Sequence, residues 1–559
     1  MQPRDPQGGA PGTARAAPLS DAAAAPGPAP AGQPSTGSPA AGLAAASGAS
    51  AIPAPAPPTG STGAAGGGPA PAPAGWTPVA EIPAVVARAR AAFPAWAQLP
   101  VRERVACVAR LRRYIVRHRD ELARVISAGT GKPLVEALVH DLLTTADALK
   151  SAEKLAPRVL RRQRQPMSLL LFGKIPYVER KPYGCVLVVA PWNYPFNLAV
   201  VPAATALLAG NTVILKPTEV TPGISRAIEE AFFMAGFPPG VVQVVHGGAE
   251  VGQAVLDAGP DFVFFTGSTA TGRRIASAAA QRLTPSVLEL GGKDPMIVFP
   301  DADLARAARA AVWGSLANCG QTCIGVERIY VHEAVKDRFV DRVLDELARL
   351  RRAEPEGTGG DPARVAADPD LDLGLMTTPR QVAIVREHVQ DALARGARAL
   401  TPVPSFEGRF VPPVVLVDVD PQARVMREET FGPVIAIAGF RSADEAVRLA
   451  NDSPFGLGAS VWTRNGRLAR EIASRLEAGG VCINDVIIHF AHPALPFGGV
   501  KESGWGAYHG RAGLEAFTYP SAVLVEPGWL AGKLVSSLLW YPYRRKYRLF
   551  SWFMRVFCG

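Results

Sequence analysis

Between residues 177 and 290, short apolar runs alternate with longer helical stretches, and this alternation sets the fold class. The runs are rich in β-branched and aromatic residues, and they lie at 185–189, 212–215, 241–245, 261–265 and 287–290. Strands that are apolar on both faces are typical of a parallel sheet that helices cover on both sides. The sequence therefore predicts an α/β fold built on such a sheet.

Polar residues follow three of these runs, at the strand ends where ligands of such sheets bind. They are Pro-Trp-Asn-Tyr-Pro at 191–195, Lys-Pro-Thr-Glu at 216–219 and Thr-Gly-Ser-Thr-Ala-Thr-Gly at 266–272. The third opens a helix, where backbone N–H groups and the positive helix end suit a diphosphate. This motif is not the GxGxxG fingerprint, which an acidic residue follows. Glu219 instead precedes it and could accept hydrogen bonds from ribose hydroxyls. A Gly-Ser-Thr turn alone also caps many helices that bind nothing.

Glu289 lies inside the apolar run at 287–290. Burying an unpaired carboxylate is costly, so this side chain is expected to be either paired or functional. A desolvated carboxylate has a raised pKa and can act as a base near neutral pH. The alternative is a structural salt bridge with Lys293.

Residues 316–325, Leu-Ala-Asn-Cys-Gly-Gln-Thr-Cys-Ile-Gly, interrupt an Ala-rich helical pattern and contain two of the six cysteines. A turn that presents backbone N–H groups beside a thiol can lower its pKa and can hydrogen-bond an oxyanion. Cys323 is therefore a candidate nucleophile, although a cysteine is more often a small buried hydrophobe. Cys319 and Cys323 have no matching Cys/His pair nearby, which argues against zinc. The irregular spacing of all six favours a reducing compartment over disulfides.

The ends of the chain differ from its body. Residues 1–75 are almost entirely Ala, Pro, Gly, Ser and Thr, which predicts disorder. Residues 79–155 have a helical pattern in which Gly-Thr-Gly-Lys-Pro at 129–133 ends one helix. Residues 354–370 read as a polar surface loop. Neither a secretory signal nor an apolar run of roughly 18 residues is visible, so no membrane-spanning helix is expected.

Seven motifs in one order along residues 80–525 resemble the aldehyde dehydrogenase superfamily, of the type that does not acylate coenzyme A. Besides the first two strand-end motifs, they are Phe-Thr-Gly-Ser-Thr at 265–269, Glu-Leu-Gly-Gly-Lys at 289–293, Gly-Gln-Thr-Cys at 320–323, Glu-Thr-Phe-Gly-Pro at 429–433 and Pro-Phe-Gly-Gly-Val-Lys-Glu-Ser-Gly at 496–504. The resemblance implies two doubly wound α/β domains, one for the cofactor and one for catalysis, and a small β oligomerisation flap.

The resemblance also implies where the domains lie. The NAD(P)-binding domain would span 76–291 and include a flap hairpin at about 164–182. The catalytic domain would span 292–495, and 496–526 would return to the cofactor domain and supply the last flap strand.

The resemblance assigns roles residue by residue. Cys323 matches the nucleophile, Glu289 the general base and Asn193 the oxyanion-hole amide. The implied cofactor contacts are Trp192, Lys216, Thr218, Glu219, Gly267, Ser268, Thr269, Gly272, Leu290, Glu429 and Phe431. No metal site is implied. Because Glu219 would repel a 2′-phosphate, NAD is favoured, while relatives with Lys-Pro-x-Glu also accept NADP.

The implied reaction oxidises an aldehyde to a carboxylic acid. Cys323 attacks the carbonyl, hydride passes to the nicotinamide, and water activated by Glu289 hydrolyses the thioester. Acylating relatives tend to lack this glutamate, and a catalytically silent scaffold would be expected to have lost Cys323, Glu289 or Asn193. The enzyme is expected to be a cytoplasmic homodimer or homotetramer. A net charge of +10 could indicate nucleic acid, but no motif supports that partner.

Residues 527–559 depart from the family pattern and form a basic amphipathic tail. Residues 529–559 contain six Lys and Arg residues and no acid. A helical wheel places Arg544, Arg548, Ser551 and Arg555 on one face. The tail predicts either peripheral contact with an anionic membrane surface or packing on the body or a sister subunit. Membrane contact would favour a lipophilic substrate, such as a fatty or aromatic aldehyde.

Overall fold

The structure of the protein is a computed structural model that describes residues 75–353 and 361–558. The segment predicted to be disordered therefore lies outside the described residues, apart from Gly75. The same holds for residues 354–360 of the predicted surface loop.

Residues 79–159 form a helical layer, as predicted. Its helices are Val79–Glu81, Ile82–Gln98, Val101–Arg117, Arg119–Thr130, Leu134–Glu136, the π-helix Ala137–Leu143 and Thr144–Val159. The predicted helix end within 129–133 is confirmed, because Gly131 adopts a φ of +87° at the end of Arg119–Thr130. A left-handed glycine is a common helix terminator since it has no Cβ to clash with the backbone.

The predicted parallel sheet is confirmed and has six strands. In spatial order they are Gly504–Trp505, Ser286–Glu289, Phe262–Thr266, Cys185–Val189, Thr212–Lys216 and Val242–Val244. All neighbours are parallel except Gly504–Trp505, which runs antiparallel to Ser286–Glu289. The connecting helices are Asn197–Ala209, Pro222–Met234, Ala249–Asp257 and Thr269–Ala280. Strand order reverses beside Cys185–Val189, which creates the crevice where ligands bind in doubly wound sheets.

A second, seven-stranded sheet follows. In spatial order its strands are Arg398–Ala399, Val414–Val417, Val434–Phe440, Val326–His332, Asp294–Val298, Gly458–Trp462 and Gly480–Ile483. Only the edge strand Arg398–Ala399 is antiparallel. The helices of this region are Leu304–Leu316, Ala317–Gly320, Glu333–Val335, Lys336–Ala348, Pro362–Val365, Pro379–Ala394, Arg424–Arg427, Ala443–Asn451, Gly466–Arg475 and Ile488–Ala491. A separate two-stranded pair joins Phe455–Gly456 to Val500–Lys501.

Four residues, 290–293, carry the chain from the first sheet to the second. A Cβ on Gly291 would collide with the Glu429 carboxylate, and one on Gly292 would collide with the Cys323 carbonyl oxygen. A side chain at 292 would therefore meet backbone that cannot give way, while glycine at 291 leaves room for the Glu429 carboxylate. The predicted domain boundaries remain a prediction, although the first of them falls within this crossing.

A small antiparallel sheet joins distant parts of the chain. Gln163–Arg164 pairs with Ile175–Pro182, which pairs along its full length with Thr518–Val525. The short helices Leu169–Leu171 and Gly510–Ala516 lie in the adjoining segments. These strands lie within the segments expected to form the flap, about 164–182 and 496–526. Its role in joining subunits remains a prediction.

The C-terminal tail forms two helices, Leu530–Leu539 and Lys546–Phe557. None of the helices in 75–353 and 361–558 is both long and apolar enough to cross a membrane. The predicted placement of Arg544 on a helical face is wrong, because it precedes the second helix and Arg545 has a φ of +64°. Arg548 and Arg555 do lie on that helix, and none of its residues is buried.

Candidate active site

A cleft of about 660 Å³ lies at the carboxyl ends of the first sheet's strands. Its lining includes residues that precede and residues that follow Gly291 and Gly292 in the chain. The predicted residues that line it are Trp192, Asn193, Lys216, Thr218, Glu219, Gly267, Ser268, Glu289, Leu290, Cys323, Glu429 and Phe431. Residues separated widely in sequence thus share one cavity.

Two predicted cofactor residues, Thr269 and Gly272, do not line this cleft. The Thr269 hydroxyl donates to the Glu502 carbonyl oxygen at 3.3 Å. A Cβ on Gly272 would collide with the Leu290 side chain. In this structure, Gly272 thus lets the helix Thr269–Ala280 approach the strand end at Leu290.

Glu289 is the last residue of its strand and is only 3% exposed. Neither of its carboxylate oxygens has a hydrogen-bond partner among the described residues. Burial raises the pKa of this carboxyl well above its usual range. Lys293 pairs with Glu327 instead of Glu289, so the alternative of a Glu289–Lys293 salt bridge is wrong.

A strained turn precedes Cys323. Asn318 and Cys319 have φ values of 54° and 56°, a region that non-glycine residues rarely adopt. A Cβ on Gly320 would collide with the Gly432 carbonyl oxygen. The turn is therefore held against the segment that carries Phe431, and Cys319 is buried there as a packing residue.

The Cys323 thiol does not have the lowered pKa that the turn led us to expect. Burial raises the pKa of this thiol, and the nearby carboxylates of Glu429, Asp294 and Glu289 raise it further. The backbone N–H of Ile324 acts in the opposite direction but is outweighed. The turn follows the carboxyl end of the helix Leu304–Leu316, so this helix brings its negative end toward the turn and does not favour a thiolate there.

Asn193 is held by a buried network that sequence reasoning missed. Lys132 Nζ donates to the Asn193 carbonyl oxygen at 2.8 Å and to Asp141 at 2.7 Å. Asn318 Nδ2 donates to the same carbonyl at 2.9 Å. The Asn193 side-chain amide donates one hydrogen to the Gln321 carbonyl oxygen at 3.1 Å, which leaves its second hydrogen available.

Glu327, also missed, holds the loop that carries Phe431. Its carboxylate accepts from the backbone N–H of Thr430 at 2.8 Å and of Phe431 at 3.0 Å, and it pairs with Lys293. Phe431 has a φ of 52° and meets the Trp192 ring edge-on at 5.5 Å. Glu429 accepts from the Gly292 N–H at 3.0 Å, and burial raises the pKa of Glu429 to about 8.

The far end of the cleft fits an adenine dinucleotide. Lys216 Nζ lies 2.7 Å from the Glu219 carboxylate, which leaves acceptor oxygens for a ribose diol. Ser268 caps the helix Thr269–Ala280, whose amino end faces the cleft. The Thr266 hydroxyl is buried there without a partner among the described residues. Thr271, Arg274 and Ile275 also line the cleft, and helical spacing from Ser268 could have identified them.

A family model described as the aldehyde dehydrogenase family matches residues 77–523. Among curated proteins, the chain is 42% identical over 474 residues to 4,4'-diapolycopene aldehyde oxidase of a Methylomonas species, covering 84% of this chain and 86% of the relative. It is 36% identical over 452 residues to betaine aldehyde dehydrogenase of Cereibacter sphaeroides, covering 80% and 90%.

Solved structures of aldehyde dehydrogenases are also similar to this chain. An aldehyde dehydrogenase of Mycobacterium tuberculosis complexed with NAD+ matches with a TM-score of 0.74 and 34% identity, over 81% of this chain and 91% of that one. An NAD+ complex of an aldehyde dehydrogenase from Bacillus cereus matches with a TM-score of 0.74 and 32% identity, over 80% and 89%. The predicted fold class is confirmed.

We expect Glu429→Gln to speed alkylation of Cys323, because the amide removes a charge that opposes thiolate formation. Since the pKa of Glu429 is itself raised to about 8, the difference from wild type should be small near pH 7. It should grow to about two- to tenfold near pH 9, where this carboxyl is ionised. The measurement is the iodoacetamide labelling rate of the Cys323 peptide by mass spectrometry.

The matched control is Glu428→Gln, which changes the neighbouring carboxylate that pairs with Arg424 at 3.0 Å. This control should label at the wild-type rate. Equal rates for Glu429→Gln and wild type across the pH range would contradict the electrostatic coupling.

Proposed function

This chain belongs to the aldehyde dehydrogenase family, and from that premise we propose that Cys323, Glu289 and Asn193 carry out its chemistry. The protein is an NAD(P)-dependent enzyme that oxidises an aldehyde. The observation that carries the assignment is the unpartnered, buried Glu289 carboxylate in the same cleft as the Cys323 thiol.

Cys323 acts as the nucleophile on the aldehyde carbonyl. The S–H proton leaves to solvent, the sulfur forms a bond to the carbonyl carbon, and the C=O π electrons move to the oxygen, which becomes a tetrahedral oxyanion. The second Asn193 amide hydrogen and the backbone N–H of Cys323 stabilise this oxyanion. Removing one such donor typically costs about 10²–10³ in rate. The Lys132 network keeps the Asn193 backbone in place and therefore acts as a positioning element.

The cofactor is held along the cleft by residues at both of its ends. Lys216 and Glu219 take the adenosine ribose, Gly267 and Ser268 the diphosphate, and Glu429 and Phe431 the nicotinamide side. When bound, the oxidised nicotinamide supplies the hydride acceptor. Glu219 disfavours a 2′-phosphate, so we propose NAD as the preferred cofactor.

Glu289 acts as the base that activates water to hydrolyse the Cys323 thioester. Burial raises the pKa of this carboxyl, which makes its carboxylate form a stronger base than an exposed one. The presence of this carboxylate supports hydrolysis over transfer of the acyl group to coenzyme A. All three residues are present in one cleft, which disfavours a catalytically silent scaffold.

We propose a lipophilic aldehyde as the substrate. The relative named 4,4'-diapolycopene aldehyde oxidase supports this class. Near Cys323, the Tyr194 hydroxyl lies 2.7 Å from that of Thr322. The His140 ring lies between those of Tyr194 and Trp313, at centroid distances of 6.3 and 6.0 Å, and we propose that an apolar chain packs against this row of rings.

The enzyme is proposed to assemble as a homodimer or homotetramer through the flap sheet. Thr518–Val525 is an eight-residue edge strand of that sheet. Long edge strands are usually covered in folded proteins, which supports a subunit contact here.

We also propose that the tail 529–559 holds a cytoplasmic enzyme peripherally at an anionic membrane surface. The helix Lys546–Phe557 has no buried residue, and Trp552, Met554 and Phe557 are exposed beside Arg548 and Arg555. Basic helices with exposed aromatic residues bind anionic bilayers at the interface. All six cysteines are free thiols, as is usual in a reducing compartment.

Replacing Cys323 and replacing Glu289 should impair turnover at different steps. Cys323→Ala should abolish NADH formation on a panel of short, long-chain and aromatic aldehydes, because no thioester can form. Glu289→Gln should keep a first-turnover burst but lower steady-state turnover by about 10²–10⁴.

The control is Cys319→Ala, the buried packing residue of the same turn, which should retain turnover. Comparable NADH formation by Cys323→Ala and Cys319→Ala would contradict the assignment. The chain length with the highest kcat/KM tests the substrate class.

Deleting residues 529–559 should abolish co-sedimentation with vesicles of phosphatidylcholine and phosphatidylserine, because the uncompensated cations and exposed aromatic residues are lost together. Turnover on a short soluble aldehyde should persist. Unchanged vesicle partitioning of the deletion variant would contradict the membrane contact.

A further inference from the structure

The first tail helix packs against the tip of the flap hairpin, defined here as residues 167–172. Leu530–Leu539 contacts the helical turn Leu169–Leu171. Lys174 joins the two segments, since its Nζ donates to the Ser536 hydroxyl at 2.5 Å and to the Glu526 carboxylate at 2.9 Å. The hairpin and the tail are therefore held as neighbours.

Both neighbours expose large apolar side chains. These are Met167, Leu170 and Phe172 of the hairpin tip and Trp529, Leu530 and Leu534 of the tail. Each is between 46% and 85% exposed. A contiguous exposed apolar patch of this kind usually marks a contact with a partner or a membrane.

The tail segment that follows this patch is joined to it through Lys546, whose Nζ donates to the Ser537 and Trp540 carbonyl oxygens at 2.8 and 2.6 Å, and it carries positive charge that no acid among the described residues neutralises. Arg544, Arg545, Arg548 and Arg555 are exposed and form no ion pair within the described part of the chain. The nearest preceding acid, Glu526, is already paired with Lys174. An anionic surface would complement these arginines.

We propose that the flap-hairpin tip and the tail form one surface that inserts into an anionic bilayer. The inference rests on the proposed membrane contact of the tail and adds the hairpin as a second inserting element. A second copy of the chain is a poorer occupant. A two-fold contact through this surface would bring the arginines of both copies together with no acid between them.

The consequence concerns substrate delivery. Two inserting elements restrict how the enzyme can tilt on the membrane, whereas a single tail would act as a tether. A lipid-soluble aldehyde would then meet an enzyme that is held in a defined orientation at the surface where it partitions.

The test uses full-length protein and sucrose-loaded vesicles of phosphatidylcholine and phosphatidylserine. The variant is Met167→Glu with Phe172→Glu, and its matched control is Met234→Glu with Phe233→Glu, a Met/Phe pair that is at least as exposed and lies at the end of the helix Pro222–Met234. We expect the hairpin variant to lower the partition coefficient about tenfold or more, and the control to change it less than about twofold. Unchanged turnover on a short aldehyde confirms that the variants fold.

The outcomes separate this inference from the tail proposal. If the hairpin variant partitions like wild type while deletion of 529–559 abolishes binding, the hairpin does not insert and only the tail contact stands. If the deletion also leaves binding unchanged, both proposals fail. A changed sedimentation coefficient without lipid, together with normal vesicle binding, would assign the hairpin to a subunit interface.

A second measurement does not depend on loss of binding. Phe172→Trp should show more fluorescence quenching by vesicles of brominated phosphatidylcholine and phosphatidylserine than the wild-type protein does. No added quenching would overturn insertion of the hairpin.

Discussion

The structure depends on the close passage of the chain through Gly291 and Gly292 between the two sheets. Glu289 ends a strand of the first sheet and Asp294 begins a strand of the second. The Ser503 hydroxyl donates to the Gly291 carbonyl oxygen at 2.7 Å and accepts from the Gly456 N–H at 3.0 Å. Because a Cβ at 292 would meet the Cys323 backbone and glycine at 291 leaves room for the Glu429 carboxylate, both groups can lie against residues 290–293. The candidate base and nucleophile thus face one cleft.

Two kinds of buried charge occur around the cleft among the described residues. Lys132–Asp141 and Lys293–Glu327 are fully buried pairs whose partners also bind the backbone of the Asn193 and Phe431 segments. Such pairs are costly to bury and are weak contributors to stability, but they define local geometry. Glu289 is different, since its oxygens have no partner within the described residues. This contrast distinguishes a structural carboxylate from a candidate catalytic one.

Much of the fold could be predicted because apolar strands and strand-end motifs are local patterns. Glu289 was recognisable as a polar residue inside an apolar run, and Cys323 through its motif. Lys132 and Glu327 were not, since each looks like an ordinary charged residue until folding buries it. The direction of the Cys323 pKa shift could not be predicted from the sequence either, because it depends on burial and on carboxylates that are distant in sequence. Arg544 was misplaced because the break between the tail helices has no strong signal in the charge pattern.

The central claim is that an acyl group is carried on Cys323 and released by Glu289, and peptide-mapping mass spectrometry tests it most directly. Glu289→Gln enzyme would be mixed with NAD and a lipophilic aldehyde, quenched in acid and digested. The account predicts an acyl adduct on the Cys323 peptide that accumulates in this variant and is scarce in wild type. An adduct on another cysteine, or none on any peptide while NADH still forms, would contradict it.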